Sequence, residues 1–213
     1  MRINPRISQL YKNSGDIAPA ILDVQHSPVI PTSNDPVTVS AQLIDDHDNV
    51  GSAVLFHRVS TLEPGPFAKT PMQLDSSLGD GVYSATLPTM PNETIVEFYV
   101  LATDGAGNAR SFPVATPEGL HEAILLYQVD DIERPVDVPF YRAIMTAAEW
   151  QRFRDGNRFN NAQMNATFVA SVGDRTQLRY GAGVRYRAST RLRNPPSYRV
   201  NLPADRPWEG MTA

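Results

Sequence analysis

Short runs of alternating apolar and polar residues, broken at regular intervals by turn residues, dominate residues 19–113. Val37 to Ile44 is the clearest: Val37, Val39, Ala41 and Leu43 fall on one face, the period-two signature of a half-buried strand. Ala20–Val24 precedes it and is stopped by Pro28 and Pro31. After the acidic turn Asp45–Asn49 come further runs at Ala53–Val59, Lys69–Leu74, Val82–Leu87 and Thr94–Ala102. Asp80-Gly81 is a turn dipeptide, and Thr103–Asn108 is rich in residues that tolerate positive φ. With proline confined to strand ends, the pattern predicts about seven strands and an all-β sandwich.

From about residue 114 the pattern changes. Residues 114–137 read as a connector with one embedded strand, His121–Tyr127. Val138–Met145 predicts a strand, and Thr146-Ala147-Ala148-Glu149 predicts a capping box in which hydroxyl and carboxylate satisfy the first free amides of a helix. That helix runs to Arg154 and is ended by Gly156, with Trp150 and Phe153 on one face. Gln163–Val172 and Gln177–Arg187 form a hairpin across Gly173-Asp174, and Ser197–Leu202 supplies a last strand. The fold class expected is therefore mainly β: an immunoglobulin-like β-sandwich at 19–113 after a linker at 1–18, then an incomplete α+β segment at 138–213.

Charge supports a division near residue 130. Residues 1–130 carry 6 Lys and Arg against 15 Asp and Glu, whereas residues 131–213 carry 13 Arg, no Lys and 8 acidic residues. Arginine offers planar, paired hydrogen bonds to phosphate or carboxylate; high-GC codon usage accounts for the same bias equally well. With no cysteine, disulfides and thiol-based metal or nucleophilic chemistry are excluded. No apolar run approaches the ~18–20 residues that cross a bilayer. The first residues lack the apolar core of a signal peptide, and residues 138–213 are few for an independent core, so truncation at both ends is expected.

Candidate chemistry in the first half is sparse. Asp45, Asp46 and Asp48 cluster the oxygen ligands that Ca²⁺ takes, but the loop lacks the glutamate and glycine positions of an EF-hand, and it is read as an acidic turn. His26, His47, His57 and His121 show no metal-ligand spacing, so no metal site is assigned. Tyr83, Phe98 and Tyr99 read as strand-packing residues rather than a sugar platform. No nucleic-acid motif accompanies the arginines.

Gly81–Ala85 and Phe98–Asn108 resemble bacterial immunoglobulin-like or fibronectin-type modules, which implies a spacer or adhesion role for 19–113. Residues 138–213 resemble the N-terminal part of the CotH-like spore-coat kinase domain, carried by Phe140–Trp150, Gly183–Arg191 and Pro195–Val200. Ala188 stands where the family has glycine, and Pro195-Pro196 where members often carry Lys-Lys. The resemblance implies a secreted or surface-associated parent that binds ATP with Mg²⁺ and phosphorylates serine on a protein substrate. The family's catalytic and metal-binding carboxylates lie beyond the stretch matched, so no catalytic residue is assigned, and the chain itself is expected to need no cofactor and to be inactive. Arg185 and Arg187, facing one way on a strand, and Arg199 on the next strand are the candidate phosphate-binding residues; pairing with Asp174, Asp205 or Glu209 is the other reading. The alternative function is a non-catalytic surface or adhesion protein.

Overall fold

The computed structural model describes residues 16–47, 49–116, 123–135, 137–156, 159, 161–187 and 192–204. The protein is mainly β: thirteen strands and one short helix among the described residues, every strand pair antiparallel.

The first sheet orders β1 (Ala20–Ser27), β2 (Val37–Ile44), β6 (Val82–Leu87) and β5 (Gln73–Leu74). The second orders β4 (Ala68–Pro71), β3 (Val50–Val59), β7 (Ile95–Asp104) and β8 (Ala109–Phe112). Their inward faces share one core, a sandwich-like arrangement in which Val37, Val39, Ala41 and Leu43 meet Leu55, Val96, Phe98 and Val100. Phe98 is fully buried, which stabilises by roughly 1.5–3 kcal/mol relative to leaving it in water. In β1 a bulge between Leu22 and Gln25, with Asp23 at φ 48°, breaks the alternation so that Ile21, Val24 and His26 all turn inward.

Two strands differ from the pattern. The run Lys69–Leu74 is divided: β4 pairs with β3 in one sheet and β5 with β6 in the other, with buried Met72 at the crossing. Alternation alone does not show which neighbour each half will find. The second is β8, four residues with an arginine and a serine, too short and polar to stand out from the turn before it.

The third sheet orders β10 (Phe140–Ile144), β11 (Met164–Val172), β12 (Arg175–Tyr186) and β13 (Tyr198–Asn201), with helix α1 (Ala147–Asp155) between β10 and β11. Gly173, at φ 59°, opens the two-residue hairpin loop between β11 and β12, where a positive φ at the first central position fits the twist of the strands.

The joint between the halves is β9 (Leu125–Gln128), the strand expected in the connector. It pairs with the first half of β7 (Ile95 with Gln128, Phe98 with Leu125), while β8 pairs with the second half, so the two lie end to end along one edge. Its period-two alternation splits it between two cores: Leu125 and Tyr127 enter the sandwich, whereas Leu126 joins Ile124, Ile144 and Val169 under the third sheet. The free edge of β9 is covered by side chains of β11: Thr167 Oγ1 accepts from the Leu126 amide at 3.1 Å, and Asn165 Nδ2 donates to the Ile124 carbonyl at 2.9 Å.

Candidate functional site

The register of β12 and β13 decides where the arginines go. Val184 lies opposite Val200 and Tyr186 opposite Tyr198, and Val184 and Tyr186 pack with Phe153 in a small core. Alternation then places Arg185 opposite Arg199 on the other face. The Arg187 amide still donates to the Ser197 carbonyl at 2.9 Å, so Arg187 continues the strand one step further on that face. All three candidate arginines thus sit along one strip. Arg185 reaches the Asn161 side chain and the Tyr186 carbonyl, each at 3.5 Å, and Arg199 Nε donates to Asn201 Oδ1 at 3.0 Å. Among the described residues none of the three has an ion-pair partner, Asp174 included. Asp205 and Glu209 lie outside the described residues, as do Ala188–Arg191 of the family-like block.

Beyond Asn161, residues 162–165 line a cleft of about 940 Å³ between the outer face of β3 and β7 and the start of α1. Glu97 on β7 is almost wholly buried and takes Nε and Nη2 of Arg58, both at 2.7 Å. The Arg58 guanidinium also lies 4.1 Å over the Phe67 ring. Tyr99 stacks on Phe56 at 4.6 Å and meets Phe67 edge-on; burial pushes its phenol pKa up, against the pull of Arg58. None of Arg58, Glu97 or Tyr99 stands out as a site from the sequence pattern. The one signal is Glu97 inside an apolar strand, where a carboxylate demands a partner.

The opposite wall is the beginning of α1, where Thr146 and Glu149 form the expected capping box. Thr146 caps the helix, accepting the Glu149 amide at 3.0 Å. The Glu149 carboxylate reaches back to the Thr146 backbone, which helps to hold its pKa down, and it also bridges to the next strand. One oxygen accepts the Asn165 amide of β11 at 2.9 Å and the other the Thr146 hydroxyl at 3.3 Å. The Ala147 amide is satisfied by Ser60 Oγ at the end of β3, 3.0 Å away. Burial raises the Glu149 pKa, outweighing those hydrogen bonds and nearby Arg152. At the other end Gly156 has φ −74°, so the helix stops in extended backbone rather than a left-handed cap. Phe153 is buried and stacks on Tyr186 at 4.5 Å; Trp150 contacts it at 6.1 Å but stays half exposed.

The histidines and acids of the first half fall in unlike places. His26 is buried in the sandwich, His57 bonds Thr70 at 3.0 Å, and exposed His47 lies beside Asp46. His121 and Asp48 lie outside the described residues. Tyr83 packs against the sandwich core and Phe98 is within it. No helix is long and apolar enough to cross a membrane among the described residues.

In comparisons with known proteins, no family model matches the chain, and no curated protein matches it at a significant level.

Proposed function

We propose that this chain is an immunoglobulin-like module joined to the nucleotide-lobe portion of a CotH-like kinase, in which Arg185, Arg187 and Arg199 hold phosphate. The observation behind this reading is the direct opposition of Arg185 and Arg199. Like charges facing each other across a ladder destabilise a sheet, and an anion between them converts the repulsion into charge-assisted hydrogen bonds. The strip fits phosphate oxygens chemically: guanidinium donors on one face, with no described carboxylate competing for them. ATP with Mg²⁺, if bound there, would supply the transferable phosphoryl group. This chain's share is to bind and orient, without carrying out the transfer. The parent is placed outside the cell or on its surface, with serine of a protein as its substrate.

A second reading, a non-catalytic surface or adhesion protein with a spacer module, is favoured by the joint around β9. Two cores share one strand there, as suits a stiff structural element.

Isothermal titration of the 213-residue protein with Mg-ATP separates the two. Binding that weakens with salt and falls ~10-fold or more in the doubly substituted R185A/R199A protein supports the nucleotide reading. No binding of ATP or inorganic triphosphate by the unaltered chain removes it and leaves the spacer. Mg²⁺-dependent phosphorylation of any protein by the purified chain would show that it is catalytic after all.

A further inference from the structure

At one end of the sandwich the turn after β2 and the turn after β7 are held against each other. The Gly105 amide donates to the Asn49 carbonyl at 3.0 Å. A Cβ on Gly51 would meet the Asp104 carbonyl oxygen at 2.7 Å, so the backbones approach as closely as glycine permits. Each turn presents one buried aspartate. Asp45 Oδ1 accepts the amides of His47 and Asn49, both at 3.0 Å. Asp104 Oδ1 accepts those of Ala106 and Asn108 at 2.9 and 2.8 Å, and its Oδ2 takes Asn108 Nδ2 at 2.8 Å. Asp16, on the segment entering β1, completes the group: one carboxylate oxygen from each of Asp16, Asp45 and Asp104 lies within 4.8 Å of the others.

Two features set this group apart from an ordinary acidic turn. Asp45 is only 7% exposed, and its Oδ2 is buried with no hydrogen-bond donor among the described residues. A desolvated carboxylate oxygen left bare is costly, and proteins seldom keep one without a cation or donor. Second, no lysine or arginine among the described residues pairs with any of the three; exposed His47 lies 3.2 Å from Asp16.

We propose that Asp16, Asp45 and Asp104 bind one Ca²⁺ ion. The donors are all hard oxygens, which excludes a thiolate or imidazole metal and suits a hard cation. Ca²⁺–O bonds of about 2.3–2.6 Å keep any two ligands of one ion within roughly 4.6–5.2 Å of each other, a condition that the three carboxylates meet. The orphaned Asp45 oxygen gains its partner, and the ion ties the chain before β1 to two turns distant in sequence. This site is independent of the phosphate reading, since it lies on other strands and uses other chemistry.

The test uses the 213-residue protein, stripped with EDTA and titrated with CaCl₂ and MgCl₂ by calorimetry and thermal melting. One Ca²⁺ per chain and a concentration-dependent rise in Tm are expected, with Mg²⁺ weaker. Asp45→Asn should weaken Ca²⁺ binding ~10-fold or more while leaving the metal-free Tm as high as before or higher. Asp16→Ala, an exposed change outside the core, should weaken binding without altering the metal-free melt. Superimposable melts and no heat with CaCl₂ overturn the proposal, as does binding that survives both substitutions. An equal response to Mg²⁺ overturns the assignment to calcium.

Discussion

The imidazole of His26 on β1 is hydrogen-bonded through Nδ1 to the phenol of Tyr180 on β12. Its Nε2 lies 3.1 Å from the Val29 carbonyl, which can only accept, so the ring proton sits on Nε2 and Tyr180 donates. One neutral tautomer thus bolts the third sheet to the sandwich, inside a cluster with Phe98 and Tyr127.

Tyr180→Phe removes that donor and leaves Nδ1 bare in the interior. It should cost about 1–3 kcal/mol in urea unfolding. The transition should stay single, because the apolar part of the side chain remains in place.

Burial lowers the His26 pKa to about 4, with only the Val29 carbonyl pulling the other way. The folded value lies below the unfolded 6.5, so the unfolded chain binds the extra proton first. Stability from this group is complete above pH 6.5 and is lost as pH falls toward 4, by about 3 kcal/mol. An NMR titration of the His26 ring should show its midpoint near 4; a midpoint above 6 would contradict its burial.

Tyr127, in the sandwich core, carries a hydroxyl with no partner among the described residues, and burial pushes its pKa up to about 12. Tyr127→Phe should therefore raise Tm, recovering some of the ~1–3 kcal/mol that an unmet buried hydroxyl costs. A lower Tm would mean that the hydroxyl is bonded.

Glu149 joins α1 to β11 through the Asn165 amide. Glu149→Ala should cost about 1–3 kcal/mol, and Glu149→Gln much less, since the amide oxygen still accepts. Because its folded pKa is raised, ionised Glu149 weakens the fold as pH climbs through the carboxylate range, and Glu149→Gln should flatten that slope. Equal losses in the two variants would show that the carboxylate charge itself is needed.

The strands were legible in the sequence wherever one face alone is buried. Val37–Ile44 alternates cleanly, and β2 spans those same residues. What escaped was partnership. Nothing in Leu125–Gln128 announces that alternate residues serve two different cores, because both faces are apolar. The arginine strip was readable from spacing, and the register that opposes Arg185 to Arg199 came from the strands. The cleft was hidden because Arg58 and Glu97, cross-strand neighbours on β3 and β7, come to face Glu149 only through the third sheet's placement. Likewise Asp45 was visible as an acidic turn residue, whereas its neighbours Asp16 and Asp104 lie on other segments.

The end-to-end placement of β8 and β9 along β7 bears on how the molecule is made. When residue 112 leaves the ribosome, half of one edge of β7 still waits for its complement, and the sandwich lacks Leu125 and Tyr127. A fragment of residues 16–116 should therefore be loose and aggregation-prone beside one of residues 16–130, as a comparison of their melts would reveal. The nascent sandwich is finished by the segment that begins its neighbour, so synthesis delivers the two halves already stitched together.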